Sequence, residues 1–82
     1  MSIPVIDVIR TGENIRNLRK MAGVSIPELQ DIFGFRNPQA IYKWQRGEAL
    51  PTIDNLLVLA SVLNVKIDDI LVVADDDISL SA

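Results

Sequence analysis

The chain has 82 residues, 49% of them hydrophobic, and a net charge of −3. That length suits one domain with an efficient core, and the lack of cysteine and histidine excludes disulfides, Cys/His zinc sites and the commonest general base near neutral pH. The acidic total hides a split: positions 10–46 hold seven bases and three acids, whereas positions 48–82 hold one base and seven acids, so one half suits an anionic surface that the chain as a whole does not.

Positions 1–10 form a β-branched run containing Pro4, which predicts an extended segment rather than a helix. No base precedes Arg10, Asp7 breaks the apolar run, and nothing approaches the roughly 18 apolar residues of a spanning helix. A soluble, cytoplasmic protein is expected. Thr11 has the chemistry of an N-cap and predicts a first helix to about Ala22, with Ile15, Leu18 and Ala22 as its core stripe and Gly23 as its stop. Arg16 and Lys20 stand four apart on another face; together with Arg10 they read first as solvated surface and second as contacts to an anionic backbone.

Ser25 with Glu28 three residues on is a capping box, and Pro27 in the first turn is tolerated there. A second helix follows, with Leu29, Ile32 and Phe33 inward, ended by Gly34. Phe35 turns back to the core. Asn37 is placed to cap a third helix with Pro38 at its first position and Gly47 as its end. On the helical wheel Ile41, Trp44 and Ala40 share one side, while Gln39, Lys43 and Arg46 cluster opposite with Tyr42 beside them. Trp44 therefore belongs to the core. Thr52 is the expected cap of a fourth helix to about Leu63, with Ile53, Leu56, Leu57, Ala60 and Leu63 as its core stripe. A short fifth helix is expected from Val65 to about Leu71, with Asp68 and Asp69 favourably near its positive end. The acidic run Asp75, Asp76, Asp77 and the remainder of 74–82 read as a flexible tail. The run lacks the further oxygen ligands of a calcium loop.

The expected architecture is all-α: an extended segment over 1–10, a small five-helix orthogonal bundle over 11–73, and the tail. Positions 25–47 are its centre, a short helix, a glycine turn and a second helix whose outer face differs in kind from its inner one. Positions 12–71 resemble the Cro and phage-repressor (XRE-like) helix-turn-helix domains, a lambda-repressor-like fold. The resemblance rests on Ile15, Leu18-Arg19, Gly23, Leu29, Phe33-Gly34, Ile41, Arg46-Gly47, Pro51 and the run from Leu56-Leu57 to Leu63.

That resemblance implies double-stranded DNA binding by a transcriptional regulator, with the third helix in the major groove and a homodimer on paired half-sites. It puts base reading on Pro38, Gln39 and Lys43, where an amide suits adenine and an ammonium suits guanine acceptors. It puts phosphate contacts on Ser25 and Arg46; geometry adds Arg36, Asn37 and Tyr42 as neighbours of the backbone. The chain departs from the family pattern in four places. The turn between Gly34 and Ile41 is one residue longer, Gln30 replaces a small residue, Ile26 replaces a glutamine, and Gln45 replaces an acid. The last change predicts an Arg19–Gln45 hydrogen bond where the family makes an ion pair.

Val58 and Val62 lie opposite the expected core stripe of the fourth helix, and mean hydropathy is +0.26; with neighbours from the fifth helix or the tail the pair is the expected dimer contact, unless the N-terminal apolar segment folds over it within one chain. A second reading stays beside DNA binding, that of a protein-interaction or antitoxin-like module keeping the fold without reading DNA. No cofactor or metal is expected. With no Gly-rich phosphate loop and no recognisable acid pair, the residues do not point to an enzyme.

Overall fold

In the computed structural model, which describes residues 2–74 and 78–79, five helices form a small all-α bundle. They are α1 (Val8–Met21), α2 (Ile26–Phe33), α3 (Gln39–Arg46), α4 (Ile53–Leu63) and α5 (Ile67–Ile70). Two-residue strands β1 (Ser2–Ile3) and β2 (Ile78–Ser79) pair antiparallel, Ser2 opposite Ser79. The core gathers Ile15 from α1, Leu29 from α2, Ile41 and Trp44 from α3, Leu56, Leu59, Ala60 and Leu63 from α4, and Ile70 from α5. Each fully buried aliphatic side chain contributes about 1.5–3 kcal/mol, so every helix is held by what it buries rather than by its own propensity.

The first helix begins earlier than its sequence suggests. Asp7, not Thr11, is the N-cap, and its carboxylate accepts from the Arg10 amide at 2.9 Å. The β-branched Val8 and Ile9 are helical despite modest propensity, so the extended segment is shorter than 1–10. Thr11 is fully buried, and its hydroxyl accepts the Val72 amide at 2.9 Å. The Asp7 amide donates to the Val72 carbonyl and the Ala74 amide to the Val5 carbonyl, which ties the N-terminal segment to the chain after α5. Ala74 and Ile78–Ser79 thus have partners where a loose tail was expected, and Asp75 to Asp77 lie outside the described residues. Ala22 is not core: it is the exposed C-cap residue just past Met21.

The capping box of α2 forms as expected, the Glu28 amide donating to the Ser25 hydroxyl at 3.1 Å and the Ser25 amide to the Glu28 carboxylate at 3.2 Å. Leu29 and Phe33, four apart, carry its inward stripe; Ile32 stands beside that stripe and is 50% exposed. Gly34 ends the helix at φ 69°, where a side chain would be strained. Gln30 fills the space beyond by donating its amide to the Phe35 carbonyl at 3.3 Å. Phe33 and Phe35 stack with ring centroids 5.1 Å apart, and both meet Trp44 edge-on, which locks the turn to α3.

Helix α1 lies against α3 with almost no gap. A Cβ on Gly12 would come within 2.3 Å of the Trp44 carbonyl oxygen, and one on Gly47 within 2.7 Å of the Ile9 Cα. α4 follows the loop after Gly47, with Thr52 at its N-cap position; the Thr52 hydroxyl donates to the Asp54 carboxylate instead of accepting from the backbone. The buried stripe of α4 is Leu56, Leu59, Ala60 and Leu63, while Ile53 and Leu57 face outward at 78% and 65% exposure. The helix is apolar on nearly every side, so its periodicity points to no single face, and packing on α5 and the core selects Leu59. α5 is shorter than expected; Lys66 is its N-cap residue, with its amide bound to the Asp69 carboxylate at 2.9 Å.

Candidate nucleic-acid interface

Helix α3 divides its residues by solvent. Ile41 and Trp44 are buried, Ala40 packs against them, and Gln39, Tyr42, Lys43 and Arg46 are exposed. The helix starts at Gln39, one residue after the expected position, with Pro38 as its N-cap residue. Asn37 still acts as a cap: its side-chain oxygen accepts the Gln39 amide at 3.1 Å. That bond satisfies one of the free amides at the helix start, and Gln39 and Lys43 stand one turn apart on the exposed side.

The other expected contact residues fall into separate places. Ser25 sits at the N-terminus of α2 with its hydroxyl oxygen already accepting from Glu28, so what it retains for an external oxygen is the hydroxyl hydrogen. Arg36 lines a surface cleft with Gln30, Asp31 and Phe35. Tyr42 and Arg46 share a different cleft, about 420 Å³ in volume, in which Arg16, Arg19 and Lys20 of α1 face Tyr42, Gln45 and Arg46 of α3. Ile26 also borders this cleft while packing on the core, so the residue that replaces a donor makes an apolar contact.

Arg16 and Lys20 were expected first as solvated surface, with backbone contact as the second reading. They acquire a different setting because α1 crosses so close to α3 at Gly12 that their face becomes one wall of the cleft. Their spacing of four was the available signal; the crossing that gives it meaning is not visible in the chain. Arg19 adopts the bond expected of it: its Nε donates to Gln45 Oε1 at 3.0 Å, and a second guanidinium nitrogen donates to the Val24 carbonyl at 2.8 Å. Arg46 pairs with Glu48, both side chains about half exposed.

Val62 does not belong to an outward patch. It packs against the core, whereas Val58 is 39% exposed. The outward apolar residues of α4 are Ile53, Leu57 and Val58.

A helix-turn-helix family model matches residues 15–70. The chain belongs to the XRE-type helix-turn-helix family. As a member it is a DNA-binding transcription regulator. Among solved structures it is similar to the restriction-modification controller protein C.AhdI from Aeromonas hydrophila, at 25% identity and a TM-score of 0.68, over 78% of this chain and 96% of that one. The DNA-binding domain of BldD shares the fold at 22% identity and a TM-score of 0.64, over 78% of this chain and 92% of that one. The S. venezulae BldD DNA-binding domain matches at the same identity and TM-score, over 94% of its length. No curated protein sequence matches the chain. Among the described residues, no helix is long and apolar enough to cross a membrane.

Proposed function

We propose that the protein recognises a specific double-stranded DNA sequence by laying α3 in the major groove. The observation that carries this reading is the two-sided character of α3: Ile41 and Trp44 anchor it, and Gln39, Tyr42, Lys43 and Arg46 are exposed on the other side. Gln39 reads adenine through its amide and Lys43 reads guanine acceptors, with Pro38 against the adjacent base edge. Ser25, Asn37, Tyr42 and Arg46 hold the flanking phosphates. Arg36, which lines the separate cleft beside Gly34, makes a further backbone contact.

The protein acts as a homodimer on paired half-sites, joined through the outward side of α4. Ile53 and Leu57 are four apart on one helix, and with Val58 they expose more apolar surface than isolated residues need. The same surface favours the second reading, a protein-interaction module that keeps the fold without reading DNA.

A gel-shift measurement with a site selected from random DNA, at low and high salt, separates the two. DNA binding requires a steep loss of affinity with salt. Gln39→Ala or Lys43→Ala should each cost about 1–3 kcal/mol on the selected site and relax the preference at one base pair. Wild-type affinity from both variants would remove α3 from the groove, and no binding by the wild type at low salt would favour the interaction module.

A further inference from the structure

The cleft between α1 and α3 has an unusual charge composition for a chain of net charge −3. Arg16, Arg19, Lys20 and Arg46 line it, and no aspartate or glutamate does. Among the described residues, Arg16 and Lys20 have no ion-pair partner, and both are exposed. Arg19 is bound at Nε and at one terminal nitrogen, but both acceptors, the Gln45 amide oxygen and the Val24 carbonyl, are neutral. Its full positive charge therefore remains in the cleft. Arg46 alone among the four has a carboxylate partner, Glu48, which does not line the cleft.

We infer that this cleft is a phosphodiester site that continues the Tyr42 and Arg46 contacts of α3 onto the α1 wall of Arg16, Arg19 and Lys20, and that Gln45 sets its potential by remaining uncharged. The inference rests on the DNA-binding reading above and extends it to the wall supplied by α1. Four cations gathered on two facing helices repel one another, and a bound anion removes that repulsion. The ligand group is the singly charged phosphodiester of the DNA backbone. The cations supply charge and donors, and Tyr42, 38% exposed, adds a phenolic donor at the same cleft. A carboxylate at position 45 would keep the hydrogen bond to Arg19 but cancel one positive charge at the cleft wall. The amide orients Arg19 without neutralising it.

Two variants test this. Gln45→Glu is close to isosteric and gives Arg19 an ion pair, so its thermal midpoint should equal or exceed that of the wild type. Its affinity should nonetheless fall on the order of five- to tenfold at 0.1 M salt, equally for selected and random DNA. Arg16→Ala combined with Lys20→Ala touches only exposed side chains; it should make the slope of log K against log salt shallower by about 1–2 and leave the specificity ratio unchanged. If wild-type protein binds DNA and responds to Gln39→Ala while both cleft variants keep wild-type affinity and slope, the cleft is not a phosphate site and α3 recognition stands. If wild-type protein binds no DNA at low salt, the inference falls together with the reading beneath it.

Discussion

Replacing Gly12 by Ala in the middle of α1 would ordinarily stabilise a helix, by about 1 kcal/mol from propensity alone. Here the sign should reverse. The added Cβ would lie 2.3 Å from the Trp44 carbonyl oxygen, 2.7 Å from the Gln45 carbonyl oxygen and 2.9 Å from the Gln45 carbonyl carbon. These are backbone atoms of α3 and cannot rotate aside, so the two helices must part by about 1 Å to restore van der Waals contact. Overpacking of this kind costs about 1–3 kcal/mol and occasionally more, and rigid backbone neighbours place this site at the upper end. After the propensity gain is subtracted, a net loss of about 2 kcal/mol remains. In a domain of this size that lowers the thermal midpoint by about 8–16 °C. Thermal unfolding followed by circular dichroism reads it directly, and Trp44 fluorescence reports on the contact itself. A midpoint equal to or above that of the wild type would refute the close crossing of α1 and α3, and with it the cleft built on that crossing.

Other outcomes follow from contacts elsewhere. Thr11→Val keeps the shape of a fully buried side chain but removes the acceptor for the Val72 amide, which should cost about 1–3 kcal/mol and speed hydrogen exchange at Val72; unchanged stability and exchange would show that the bond does no stabilising. The Asp54 carboxyl is held below its ordinary value of 3.8, chiefly by the Thr52 hydroxyl and then by the Asp54 and Asn55 amides. A depressed carboxylate contributes stability that is complete above 3.8 and is lost as the pH falls through the folded-state value. Thr52→Val should move the Asp54 midpoint upward in an NMR titration, and an unmoved midpoint would exclude the hydroxyl as the cause. Leu57→Glu, at a position 65% exposed, should leave the fold intact while shifting sedimentation from dimer to monomer; a wild-type sedimentation profile would remove α4 from the dimer contact.

The features readable in the chain are those with a cause inside one helical turn. Ser25 and Glu28 close a capping box, Gly34 and Gly47 take positive φ after their helices, and Ile41 with Trp44 marks the inner side of α3. Where the chain allows two local answers, contacts between distant segments choose between them. Asp7 has the same cap chemistry as Thr11 and is the residue that caps α1, while the Thr11 hydroxyl accepts the amide of Val72, sixty-one residues on. α4 presents an apolar residue on almost every side, so Leu57 and Leu59 were equivalent by hydropathy until the core accepted one of them.

The sequence by itself therefore determined the helices, their stops, the helix-turn-helix unit and the exposed polar face of α3 that the DNA-binding reading rests on. Those depend on backbone sterics and short-range hydrogen bonds that any chain with these residues obeys. Only the tertiary structure decided which side of α4 remains outward, where α1 begins, and that Arg16 and Lys20 face Tyr42 and Arg46 across a single cleft. These depend on the approach of segments distant in the chain, and above all on the contact at Gly12, where a missing side chain lets two backbones meet.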